Sequence, residues 1–254
     1  MIAEVVEYFF VFLFGLCAGS FLNCAIYRME QKKTMSGRSF CPNCKHVLNW
    51  KDLFPVASWL FLAGKCRYCK TKISAQYPLV ETATGILFAV IFWKLGFKNL
   101  FELAFMFYIA AAMVFIFVYD LKHFLIPDKV LLPAIAVALI YRLFNFSGFL
   151  YFFCASLGVF LFFLILFLVS KGRWMGFGDV KLVVLMGLVL GVKNVLVALF
   201  LAFFIGAAAG VILMIMKKKG IKSEVPFAPF LIAGTFLALV YGDAIVNWYL
   251  RFLI

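Results

Sequence analysis

Long, uninterrupted runs of apolar residues separated by short polar breaks make up most of the chain. Eight are read as spans: 8–26, 79–95, 100–119, 129–144, 149–169, 179–191, 195–216 and 227–247. In lipid every backbone N–H and C=O must find a partner inside its own segment, so runs of this length predict helices. The polar/apolar alternation of a membrane β-barrel is absent. The sixth run is short for a bilayer crossing. Between the first two spans lies the one sizeable polar segment, Met29 to Pro78, which contains no long apolar run and predicts a small extramembrane domain. The expected architecture is therefore an all-α polytopic membrane protein. Residues 1–28 form the first transmembrane helix, 29–78 a loop domain and 79–254 a seven-helix membrane domain. No internal repeat or low-complexity linker interrupts it.

Composition strengthens this picture. The chain is 67% hydrophobic with 34 Phe and only 14% charged residues, against about 25% charged in soluble domains. Its net charge of +13 would suggest nucleic acid in a soluble protein, but here topology accounts for it, because Lys and Arg gather in cytoplasmic loops. From Arg28 to Lys72 there are ten Lys or Arg against two acids. Lys122, Lys171, Arg173 and the run Lys217, Lys218, Lys219, Lys222 fall in loops on the same side. The other side has Lys94, Lys98, Arg142, Lys193 and Arg251. The polar domain and the loops near Asp120, Gly176 and Lys217 are expected to be cytoplasmic, with both termini outside. Glu4 and Glu7 before the first run, and Arg28 after it, do not fit a cleaved secretory signal, so that run is expected to remain as a span.

Four of the seven cysteines form two CxxC pairs, Cys41/Cys44 and Cys66/Cys69, with 21 residues between them. This spacing is close to that of ribbon-like zinc sites, in which four thiolates close a tetrahedron and hold together a loop too small to build its own core. Two disulfides or free thiols are the alternatives, and a cytoplasmic location disfavours disulfides. His46 is read as a bystander. Cys17, Cys24 and Cys154 lie in apolar runs and are read as packing residues.

Acidic residues at membrane depth are costly and so informative. Glu81, Asp120, Asp128 and Asp179 all lie near predicted cytoplasmic span ends. Asp120 closes the third span and Asp179 opens the sixth, so the topology brings both carboxylates to one face at one depth. Two close carboxylates can share a proton, one acting as general base on water while the other donates to a peptide carbonyl. Gly176 and Gly178 carry no side chain to obstruct an approaching substrate strand. Solvated boundary acids, or a helix cap in the case of Asp179, are the plainer readings.

Gly176-Phe177-Gly178-Asp179 resembles the GxGD motif of intramembrane aspartyl proteases, and Val180-Lys181-Leu182 continues it as in the prepilin leader peptidase family. The same family is resembled, in the same order, at Gly19-Ser20-Phe21-Leu22-Asn23, Cys41-Pro42-Asn43-Cys44, Cys66-Arg67-Tyr68-Cys69, Tyr77-Pro78-Leu79-Val80-Glu81, Asp120 to Asp128, and Pro226-Phe227-Ala228-Pro229-Phe230-Leu231. The resemblance implies that Asp120 and Asp179 are catalytic, with Gly176, Gly178 and Lys181 as supporting motif and Asp128 structural. It implies cleavage of type IV prepilins or pseudopilins at the cytoplasmic face of the inner membrane, for pilus assembly or type II secretion. It also implies methylation of the new amino terminus by S-adenosylmethionine, with a role for the loop domain. No Gly-rich nucleotide turn is present, so a cofactor pocket must come from the loop and adjoining helix ends, with Glu81 and the Gly19 to Asn23 stretch, Asn23 above all, as candidates. Two positions depart from the pattern: Ala228 stands where Gly is usual, and Met29-Glu30 follow Arg28 where a Leu-Pro-like pair is common. A peptidase without methyl transfer, a zinc-loop scaffold without catalysis and a proton- or ion-relaying transporter are the rivals. A transporter should show paired broken helices in two related halves, and the sequence shows none. The particular prepilins, the pathway served, the route of substrate access and the oligomeric state are not encoded in these motifs.

Overall fold

Helix accounts for most of the backbone, as the long apolar runs require. The computed structural model describes residues 2–144, 148–216 and 225–253, and the basic run Lys217, Lys218, Lys219 and Lys222 lies outside these. Among the described residues the β features are two isolated bridges, Phe40 with Val47 and Lys65 with Lys72. Among the described residues six helices are long and apolar enough to cross a membrane. The chain forms two compact units, residues 1–115 and 116–254.

In the first unit, α1 (Ile2–Glu30) and α3 (Gln76–Leu95) pack antiparallel. Tyr8 meets Phe92 edge to face, Gly15 faces Gly85, Gly19 faces Glu81, and Asn23 Nδ2 donates to the Tyr77 carbonyl at 3.0 Å. Small residues allow this close approach. A Cβ on Gly15 would lie 2.7 Å from the Gly85 Cα, and one on Gly19 would lie 2.6 Å from the Glu81 Cα. The first turns of α4 (Leu100–His123) join them through Phe107, which stacks on Phe88 with centroids 4.2 Å apart. The polar segment between α1 and α3 contains the two cysteine turns and a short helix, α2 (Ala57–Phe61).

The second unit holds the end of α4, then α5 (Asp128–Phe144), α6 (Phe149–Ser170), α7 (Phe177–Ile215) and α8 (Ala228–Leu253). At about 1.5 Å per residue, the 39 residues of α7 would be far longer than a bilayer core needs. The helix breaks at Gly191, whose backbone is non-helical at φ 72° and ψ 178°. The contacts of α6 show that the chain reverses there. Tyr151, near the start of α6, packs on Gly191, while Phe167 and Phe163 near its end meet Phe177 and Phe203 on either side of the break. α7 is thus a helical hairpin, the predicted sixth and seventh spans. With α5, which is 17 residues long, its two arms account for all eight predicted runs.

The turn has identifiable supports. Arg142 donates through Nε to the Leu188 carbonyl at 2.9 Å and through Nη2 to the Val189 carbonyl at 3.0 Å. These are carbonyls that a helix end leaves without intrahelical partners. The guanidinium sits 3.5 Å over the Phe152 ring. The Tyr151 hydroxyl accepts the Lys193 N–H at 3.0 Å beyond the turn. A Cβ on Gly191 would lie 2.2 Å from the Tyr151 ring, so both the space and the positive φ demand glycine.

Candidate active site and metal centre

Asp120 sits in the last turn of α4, and Asp179 is the third residue of α7. Both are buried, at 5% and 7% exposure. The unsatisfied N–H groups of helix starts reach both carboxylates. Asp179 Oδ2 accepts the Gly176 N–H at 3.2 Å, folding back over the first turn of its own helix. Asp120 accepts the backbone N–H of Ala228, the first residue of α8. Such N–H groups and the helix dipole favour negative charge at these points. The carboxylates are near enough for the charge of Asp120 to act on Asp179. The end of α4 and the starts of α7 and α8 therefore converge on one pair of acids.

The surrounding motif residues have distinct roles. Gly178 is explained by packing, since a Cβ there would lie 3.0 Å from the Ile126 side chain, which is buried beneath it. Gly176 has only Asp179 Oδ2 and the Gly178 nitrogen within 4 Å of a built Cβ, so the site stays open above it. Lys181 turns to Asp128, with Nζ 2.6 Å from Oδ1, and ties the start of α7 to the start of α5. Ala228 is fully buried. Its N–H at the acid pair was hidden from sequence reasoning because a backbone donor has no residue signature.

In the first unit the cysteines form two matching turns. The Cys41 N–H donates to the His46 carbonyl and the Lys45 N–H to the Cys41 carbonyl; Cys66, Thr71 and Lys70 repeat the pattern. Lys45 and Lys70 take matching positive φ values of 60° and 58°. This short structural echo is carried by Cys-x-x-Cys-Lys at both sites and is visible in the sequence once sought. The four sulfurs lie within 4.8 Å of one another, with Cys41 and Cys69 at 3.9 Å. Four thiolates at about 2.3 Å from one zinc ion would stand roughly 3.8 Å apart, and none of the four is in a disulfide.

The donor chemistry agrees with a cation. The Thr71 hydroxyl and backbone, followed by Asn43, pull Cys69 down to about 5. The backbone N–H of His46 lowers Cys44, but desolvation and the neighbouring Cys41 and Cys69 thiols outweigh it and push Cys44 up to about 11. Such crowded sulfurs cannot all ionise unless a cation joins them. The His46 ring is not part of the sulfur cluster and stacks on Tyr68 with centroids 3.6 Å apart.

Beside this centre is a cavity of about 280 Å³ whose lining includes Ser20, Tyr27, Trp59, Leu62, Tyr77 and Glu81. Glu81 is 6% exposed. Its Oε2 accepts the Val56 N–H at 2.6 Å, and it hydrogen-bonds the Ser20 side chain. Val56 has φ 58° and ψ −50°, and the Ala57 N–H reaches the Pro55 carbonyl at 2.5 Å, forming a strained three-residue turn. Asn23 is not in the lining; its amide is spent on Tyr77, with Gln76 Nε2 at 3.5 Å from its oxygen. Arg28 reaches the lining, but its guanidinium is engaged by the carbonyls of Thr34, Met35, Gly37 and Arg38, gathering the chain that leaves α1. Ser20 belongs to the Gly19 to Asn23 stretch expected at this pocket, whereas Val56 was not singled out from sequence.

The fold and the paired acids define a multi-pass membrane protein with a dicarboxylate site. Residues 13–95 match the Bacterial Peptidase A24 N-terminal domain and residues 106–211 match the Type IV leader peptidase family. The chain is 34% identical to a prepilin leader peptidase/N-methyltransferase of Bacillus subtilis, over 95% of this chain and 97% of the relative. It is 33% identical to one of Legionella pneumophila, over 96% and 95%, and 32% identical to one of Aeromonas salmonicida, over 94% and 92%. No solved structure matches it. The chain belongs to the type IV leader peptidase family.

Proposed function

We propose that the protein is an aspartyl endopeptidase of the cytoplasmic membrane that removes the leader of type IV prepilins or pseudopilins and then methylates the new amino terminus. The observation that carries the first activity is the pair of buried acids, Asp120 and Asp179, held in mutual electrostatic range by three converging helix ends. In this reading the two carboxyls share one proton. The ionised one takes a proton from the attacking water as its oxygen bonds to the scissile carbonyl carbon, and the protonated one hydrogen-bonds the carbonyl oxygen. Proton return to the leaving nitrogen breaks the C–N bond and resets the pair. The acids face the cytoplasm by the excess of basic residues in the loops on their side, which is where a basic leader ahead of a hydrophobic helix would present its bond.

The four cysteines would hold one zinc ion with no open position, a structural role that fixes the loop domain. The cavity beside them is the proposed site of S-adenosylmethionine. Its apolar and aromatic lining suits a purine, and buried Glu81 suits a cation. When bound, the cofactor supplies a methyl group from its sulfonium. Glu81 would attract that positive charge and take the proton that the substrate ammonium must lose before its nitrogen can bond to carbon.

Both activities can be read together by incubating the reconstituted protein with a precursor and methyl-labelled cofactor, then weighing the product. The expected product lacks the leader and carries one labelled methyl on its new amino terminus. An intact precursor would contradict the peptidase assignment, whereas a trimmed, unlabelled product would contradict only methyl transfer.

A further inference from the structure

The loop domain contains a segment unlike the rest of it. From Leu53 to Gly64 there are twelve consecutive residues without a charge. A run of that length is too short to cross a bilayer and is the length of interfacial or re-entrant segments. In a small water-immersed domain its large side chains should be turned inward. Instead Phe61 is 89% exposed, and Leu60, Phe54 and Leu53 are exposed with it, next to exposed Trp50.

Hydrogen bonds fix the depth of this segment. Val56 is tied to Glu81, which lies against Gly19 and Ser20 of α1. Those residues come well before Ile26, where the apolar stretch of α1 ends. α3 residue Tyr77, one turn above Glu81, is level with Asn23. Segment 53–64 thus hangs down beside helices that are themselves still apolar. At this level α1 and α3 expose the large apolar side chains of Phe21 and Leu79 as well. The chemistry suits the boundary zone: Trp50 with Lys51 Nζ 5.5 Å over its ring, followed by aromatic and aliphatic residues.

We infer that residues 53–64 lie in the interfacial layer of the bilayer, with lipid covering Phe54, Leu60 and Phe61. The partner is the headgroup and upper acyl-chain region. The segment is then a lipid-supported strap that holds the strained Val56 turn against Glu81, and the cavity it borders opens at the membrane surface and not in free solution.

The test uses the full-length protein in nanodiscs with a fluorescent amino acid replacing Phe61, and the same probe replacing Ser36, an exposed residue beyond the end of α1. Retained precursor cleavage shows that each labelled protein is folded. Lipids with a nitroxide near the headgroup should quench the Phe61 probe at least about twofold more than the Ser36 probe, and aqueous iodide should show the reverse order. Equal iodide quenching at both positions would overturn the inference by placing the strap in water. Protection of the Phe61 probe from both quenchers would overturn it by showing that protein covers this face.

Discussion

Glu81 shows how much a single side chain can organise. A buried carboxylate without partners is expensive, and here the Val56 N–H and the Ser20 hydroxyl answer part of that cost while the rest of the carboxylate faces the cavity. Replacement by Gln keeps an acceptor for Val56 and removes only the charge. Glu81→Gln should weaken S-adenosylmethionine binding, measured by calorimetry, by at least about tenfold, while precursor cleavage stays within twofold. Unchanged cofactor affinity would remove Glu81 from the cofactor site. The four cysteines were legible at this scale because two CxxC turns at this separation can bring four sulfurs together, and the four do lie within 4.8 Å of one another. The acids stood out because charges at membrane depth are rare. The Ala228 N–H and the Val56 turn were not legible, since both depend on backbone atoms meeting residues far away in sequence. Gly178 was legible as a special position, but the reason lies in Ile126 packing beneath it.

At the scale of elements, hydrophobic run length located the eight long helical segments among the described residues, though not the short α2, and even the short sixth run exists as the first arm of α7. The reversal that joins it to the seventh was legible, since the sixth run ends at Gly191 and Lys193 follows it, but its supports were not, because Tyr151 and Arg142 reach the turn from other helices. The strap at residues 53–64 escaped notice for a different reason: a search for bilayer-length runs passes over twelve residues. Arg142 offers a measurable consequence. Arg142→Ala leaves the Leu188 and Val189 carbonyls without its donors and removes the cation from the Phe152 face, at about 1–3 kcal/mol for a buried acceptor left unpaired. The melting temperature of the membrane-reconstituted protein should fall by several degrees, with Arg142→Lys recovering part of the loss. An unchanged melting temperature would mean that the turn is held without the guanidinium.

At the scale of the whole molecule, the chemistry is divided between the units. The cysteine centre and the Glu81 cavity lie within residues 1–115, and the acid pair lies within residues 116–254. In the proposed function the trimmed product of the acid pair is the substrate of the cavity, and each site keeps its own electrostatic setting. The acids have helix starts and a membrane-embedded surround. The cavity has a single carboxylate and aromatic walls.

The paired acids remain the central claim, and single-residue charge removal tests them most directly. Asp120→Asn and Asp179→Asn are close in shape to the native residues, so each protein should insert and melt like the parent. Cleavage of a prepilin precursor by each should fall by about a thousandfold or more, because neither half of a shared-proton pair can act alone. Near-parental cleavage by either folded variant would contradict the account.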